Sequence, residues 1–98
     1  MNIFDLIGAF KKIMDTAPPE VRTITRETLT VKDKMSFIVE VLENSDSIRF
    51  ETLFQGGMTR TQLIVTFLAL LELLRLGLAR VYQEKEFGNI WVINPQRS

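Results

Sequence analysis

The sequence predicts a mostly α fold of α+β type, closed by a small β-hairpin. Three observations carry this. Apolar residues recur at spacings of three and four in separate stretches, the period of helices with one buried face. Thr30 and Thr59 each precede such a stretch and are followed three residues later by Asp33 and Gln62, the pattern of a capping box. Near the C-terminus two strand-like runs, "LARVYQ" and "NIWVI", lie either side of "EKEFGN", where Gly88-Asn89 is a turn signal. From Thr30 onward the order is helix, short strand, helix, turn, longer helix, hairpin. That is the order of a winged helix-turn-helix with a β-hairpin wing, preceded here by an extra N-terminal helix.

Each element follows from its residues. In "NIFDLIGAFKKIM" the side chains of Ile3, Leu6, Ile7, Phe10, Ile13 and Met14 form one helical stripe. Pro18 and Pro19 stop that helix. The alternation of Val21, Thr23, Thr25 and Glu27 with Arg22, Ile24 and Arg26 suits an extended connector or a short edge strand. The expected organisation is a leading helix and Pro-terminated linker over residues 1–20, then a winged helix domain over residues 21–98. Val31, Met35, Ile38 and Leu42 form the next stripe, which Asn44-Ser45-Asp46-Ser47 breaks. "SIRF" is a very short strand, and "FETLF" a short helix with Phe50, Leu53 and Phe54 on one side. Gly56-Gly57 ends it and supplies the turn. The long helix then runs from Arg60 to Leu76, where Arg75 near the C-terminus suits the helix dipole, and Gly77 is fitted to a left-handed cap.

Composition excludes several classes of function. The chain has 98 residues, a one-domain length, with 46% hydrophobic and 24% charged residues. Twelve basic and twelve acidic residues cancel, so no global field draws it to nucleic acid or anionic lipid. With no cysteine there is no disulfide or thiolate site, and with no histidine the commonest metal ligand and general base are missing. An intracellular, cytoplasmic protein is the simplest reading. The apolar run from Leu63 to Leu71 is nine residues long. A spanning helix needs about 20, so the expected partner of this run is protein and not membrane.

Neither catalysis nor DNA reading finds its residues. No nucleophile–histidine pairing is possible, no metal-ligand spacing or glycine-rich phosphate loop occurs, and no cofactor is expected. Asp33 and Glu40 fit surface charges better than a catalytic pair. A DNA-reading helix offers Arg, Lys, Asn or Gln to base edges. The long helix has Arg60, Thr61 and Gln62 at its start and then almost nothing polar on its outer side. The wing carries Glu84 and Glu86 around a single Lys85, where a phosphate-gripping wing is basic. A DNA-binding transcriptional regulator is therefore the weaker alternative, and no direct specific DNA binding is expected. Trp91 reads as a wing residue capping the core.

The long helix, "LIVTFLALLELLRLGLARV" with its continuation, is apolar nearly all round, although a surface helix needs only one apolar stripe. On a wheel of about 100° per residue, Leu63, Phe67, Leu70, Leu71 and Leu74 cluster, with Ile64 at their margin. They are the expected core face. Val65, Ala69, Leu73 and Leu76 fall roughly opposite, with Leu68 on the border and Gln62, Thr66 and Glu72 on that same outer side. A second stripe marks either a partner surface or a surface covered by the leading helix or the hairpin. The candidate interface is Val65, Leu68, Ala69, Leu73 and Leu76.

Several of these segments are also similar to a known family. Asp33-Lys34-Met35, Phe50-Glu51-x-Leu53-Phe54, "VTFLALLEL" ending in "LGL", and Gln83-Glu84 with Phe87-Gly88-x-Ile90-Trp91 together resemble the C-terminal part of ScpA, segregation and condensation protein A. The resemblance extends from about Ile3 to Val92. ScpA is the bacterial kleisin of the SMC condensin complex. The resemblance implies a non-catalytic winged helix that docks on the ATPase head of one SMC subunit in chromosome condensation and segregation. It implies nucleoid association through that complex, and a ScpB-type subunit bound through other parts of the full-length protein. It further implies that the chain is one piece of that protein.

Overall fold

A computed structural model describes residues 1–17 and 30–97. Helix α1 is Ile3–Thr16, α2 is Val31–Ser45 and α3 is Arg60–Arg75, with a 3-10 helix at Phe50–Phe54 between α2 and α3. Strands β1 (Ser47–Arg49), β2 (Arg80–Gln83) and β3 (Ile90–Ile93) form one antiparallel sheet in the order β1-β3-β2, and a 3-10 turn at Pro95–Arg97 follows. This is an α+β winged helix-turn-helix with an added N-terminal helix. The expected boundary at residues 20 and 21, and the connector expected over residues 21–27, lie outside the described residues.

All three helices begin with reciprocal caps. Thr30 Oγ1 accepts from Asp33 N at 3.2 Å while Asp33 Oδ2 accepts from Thr30 N at 3.0 Å. Thr59 and Gln62 exchange the same pair of bonds. A third box joins Asn2 and Asp5 at the head of α1. Each satisfies backbone N–H groups that a helix start leaves open. The Thr30 bonds, backbone first, lower the Asp33 pKa. At the other end of α3, Leu78 N donates to Leu73 O and Gly77 N to Leu74 O, a Schellman closure that requires Gly77 at φ 75°. Gly56 and Gly57, at φ 102° and 74°, make the turn before α3.

The core collects Ile38 and Leu42 of α2, Phe50, Leu53 and Phe54 of the 3-10 helix, six residues of α3, and Ile90 and Val92 of β3. Four phenylalanines bind α1 to it. Phe10 stacks on Phe67 with ring centroids 4.3 Å apart, and Phe50 and Phe54 complete the group with tilted and edge contacts. Such pairs add to the stabilisation from apolar burial alone. Leu6 is buried beside them, whereas Ile3 and Ile7, expected in the same stripe, stay about half exposed.

Two expectations about the wing need correction. Trp91 does not cap the core. Strand alternation sends Ile90 and Val92 inward and Trp91 and Ile93 to the outer sheet face, both half-buried. There the Trp91 indole N–H donates to Glu84 Oε1 at 3.1 Å. The turn is not centred on Gly88-Asn89 but closes earlier, with Gly88 N donating to Lys85 O at 2.8 Å and Phe87 in the left-handed region at φ 61°. Among the described residues no helix is long and apolar enough to cross a membrane.

Candidate protein interface

Helix α3 is buried over much more of its circumference than one stripe. Leu63, Thr66, Phe67, Ala69, Leu70 and Leu73 are all buried, an arc of about 160° at 100° per residue. Packing on both flanks produces this width. α2 packs along one flank of α3, while α1 and the 3-10 helix take the other. Val65, Leu71 and Glu72 border the arc and Leu74 lies within it, all half-buried.

The five residues expected to form an outer interface therefore separate. Ala69 is 0% and Leu73 is 1% exposed, so both belong to the internal core. Val65 is half-buried. Leu68 and Leu76 remain open, at 46% and 48%. The chain itself buries Ala69 and Leu73, and α2 is the element most extensively packed on α3. Ile64, placed at the margin of the core face, is instead 44% exposed. Thr66, expected outside with the polar residues, is fully buried. Its hydroxyl donates to Gln62 O at 2.7 Å, with Met58 Sδ 3.7 Å away. A threonine can hide in a helix by bonding back one turn, a possibility that a polarity pattern does not reveal.

The true outward stripe of α3 is Thr61, Ile64, Leu68 and Arg75, within about 60° of one another on the wheel. Two of its four members are large and apolar. Arg75 is already engaged: Nε donates to Glu72 Oε2 at 3.0 Å and Nη2 to Glu72 Oε1 at 2.5 Å. The pair lowers the Glu72 pKa and raises that of Arg75, through the hydrogen bond before the charge. Being exposed, it adds little stability.

α1 extends this surface. Its N-terminal turns and α3 border a cleft of about 360 Å³ lined by Met1, Ile3, Leu6, Leu71, Leu74 and Val81. Its opposite flank borders a larger cleft, about 520 Å³, whose other wall is the start of the 3-10 helix and the wing turn. Phe4 and Phe87, 75% and 91% exposed, stand at that second cleft. Arg49 crosses toward the wing, donating to Asn89 Oδ1 at 2.9 Å and pairing with Glu51 at 2.6 Å. Ile3 and Ile7 were legible only as members of one helical stripe and Phe4 not at all, and their openness depends on how little of α1 the winged helix covers.

No reacting constellation accompanies these surfaces. Among the described residues no group of three His, Cys, Asp or Glu side chains is placed to hold a metal. Asp33 is committed to its cap and Glu40 lies exposed on α2. The surfaces offer apolar contact area beside two ion pairs, Arg75–Glu72 and Arg49–Glu51.

Comparison with known proteins is consistent along nearly the whole chain. The family model described as segregation and condensation protein ScpA matches residues 1–94. The chain is 36% identical over 97 residues to segregation and condensation protein A of Bacillus velezensis, covering 94% of this chain and 38% of that protein. It is 34% identical over 96 residues to that of Bacillus subtilis, again 94% and 38%. The corresponding protein of Brevibacillus brevis is 33% identical over 92 residues, covering 92% of this chain and 36% of its own length. The chain thus spans less than half the length of the curated relatives it matches.

Proposed function

The chain belongs to the segregation and condensation protein ScpA family, and from that premise we propose that it is a non-catalytic kleisin domain that docks on the ATPase head of an SMC protein. The observation that carries the reading is the outward stripe of α3. In a DNA-reading winged helix this position presents hydrogen-bonding side chains to base edges. Here Ile64 and Leu68 stand in it, each nearly half exposed, and they suit an apolar protein partner. The zero net charge supports the same reading, and so does the wing with Glu84 and Glu86 around Lys85.

In this reading the domain works by holding two proteins together during chromosome condensation and segregation. Any influence on ATP hydrolysis passes through the head. A ScpB-type subunit joins through parts of the full-length protein outside this chain, and the assembly sits in the cytoplasm on the nucleoid. Of the surface expected for docking, Leu68 and Leu76 remain available, with Val65 beside them and Ile64 added. Co-purification tests the reading. The tagged chain is expected to retain the head fragment of the SMC protein from the same organism at near-physiological salt, and failure to retain it would remove the proposal.

A further inference from the structure

We propose that the free edge of β2 pairs with β2 of a second copy of this chain, antiparallel about a two-fold axis at Tyr82. The two three-stranded sheets then join into one.

β1 and β2 are the outer strands of the sheet, so each keeps one edge unpaired. The hydrogen-bond phase shows which groups of β2 point outward. Glu84 N donates to Asn89 O across the hairpin. Bonded and non-bonded pairs alternate along an antiparallel ladder. In the register of β2 on β3, the backbone groups of Arg80 and Tyr82 therefore face β3, and those of Val81 and Gln83 face away. The other side of β3 agrees. Asn94 N donates to Asp46 O, which turns the backbone of Val92 and Asn94 toward β1 and leaves Trp91 and Ile93, the partners of Tyr82 and Arg80, for β2. Among the described residues nothing hydrogen-bonds to the outward backbone groups of Val81 and Gln83. An added strand satisfies such groups in full.

β2 is itself the strand that fits. When Val81 of each copy lies opposite Gln83 of the other, both outward residues of each β2 are paired and four backbone bonds form. The axis then falls on Tyr82, which carries no charge and at 53% is the most exposed aromatic side chain on the strands. It meets the copy's Tyr82 in a non-bonded pair, where the Cα atoms are about 4.5 Å apart and side chains approach closely. Two residues either side, Arg80 of one copy lies opposite Glu84 of the other, and the symmetry makes this match twice. Within one chain the two residues are about 13 Å apart along an extended strand, too far to pair. Arg80 makes no ion pair among the described residues. Glu84 takes the Trp91 indole N–H on Oε1, which leaves Oε2 for the copy's Arg80. A charged edge ordinarily repels its own copy, whereas here opposite charges meet. β1 offers no equivalent, because Arg49 is already engaged by Asn89 and Glu51. Pairing of β1 with β2 would also be head-to-tail and would not close.

Sedimentation equilibrium of the 98-residue chain tests this, with melting curves on the same preparations. A reversible monomer–dimer equilibrium is expected, with a dissociation constant between about 10⁻⁶ and 10⁻³ M. Arg80→Glu alone and Glu84→Arg alone each set like charges opposite each other twice, and each is expected to weaken dimerisation roughly tenfold or more. Mixing the two single variants restores both matches, so a heterodimer should form about as tightly as the parent dimer. A chain still monomeric at about 10⁻³ M overturns the proposal. So does a dimer that neither reversal weakens, or one that the mixture does not restore. The chain has no cysteine, so Tyr82→Cys introduces a single thiol at the axis. Mild oxidation should join its copies far faster than those of Glu43→Cys, placed on the exposed side of α2. Equal rates would contradict the pairing. Protection of the Val81 and Gln83 amides from hydrogen exchange only when SMC head is added would assign the edge to the head and overturn the proposal.

Discussion

Phe67 and Trp91 are both large aromatic residues on regular elements, yet they do different jobs. Phe67 sits among Phe10, Phe50 and Phe54 and is 7% exposed. Truncation to Ala should cost about 3–5 kcal/mol, the usual loss for a buried Phe. Trp91 lies half-buried on the outer sheet face, tied by its indole N–H to Glu84. Its truncation should cost less, about 1–2 kcal/mol, because part of its surface is in water in either state. Urea melts of both variants check the order, and equal losses would contradict it. A pH effect belongs to the same scale. The Thr30 hydrogen bonds hold the Asp33 carboxyl below the usual aspartate range. A lowered folded-state pKa means that the cap's contribution is full above the unfolded-state pKa and is lost as pH falls through the folded-state value. Replacing Thr30 with Ala should move the Asp33 titration, followed by carboxyl NMR, back up toward that of an ordinary aspartate and lower the urea midpoint near neutral pH.

Helix α3 decides most of the architecture, and its phase is open to direct test. Ala69→Glu and Leu73→Glu place a charge where α2 covers the helix, with nothing to solvate it, and should cost several kcal/mol or prevent folding. Leu68→Glu projects into solvent and should leave the melting temperature within a few degrees of the parent. Circular-dichroism melts separate the two classes, and an unfolded Leu68→Glu variant would mean that the outward stripe is misplaced. The local signals of each element were legible in the sequence: the capping residues Thr30 and Thr59, the glycines at positions 56, 57 and 77, and the inward residues Ile38, Leu42, Leu53 and Leu63. What stayed hidden was how many neighbours share one helix. A wheel ranks faces by polarity, so Val65, Ala69, Leu73 and Leu76 looked like a second surface, and the buried Thr66 looked external. Only tertiary placement shows that α2 covers part of that stripe, that α1 takes the opposite flank, and that Ile64 and Leu68 fall in the gap between them. The added helix reaches the core through one buried side chain, Leu6, with Ala9, Phe10, Ile13 and Met14 partly buried against it. Phe10→Ala should speed hydrogen exchange across residues 3–16 well before α2 and α3 are affected.

At the scale of the whole molecule, the chain is a neutral winged helix with apolar openings on α1 and α3, which fits the proposed protein partner better than DNA. Duplex DNA should bind no more tightly than about 10⁻⁴ M near physiological salt, the weak end of ordinary non-specific affinity. Fluorescence anisotropy with a random duplex measures this, and tighter, salt-sensitive binding would favour the transcriptional-regulator alternative. The family relationship supplies the partner to test, and the exposed Ile64 and Leu68 supply the reason to expect contact. The most direct measurement is an isothermal titration of the purified SMC head into this chain, repeated at several temperatures. The account predicts saturable one-to-one binding with a negative heat-capacity change, the mark of apolar surface leaving water. Absence of binding at concentrations of about 10⁻⁴ M, where even a weak specific interface would register, would contradict it.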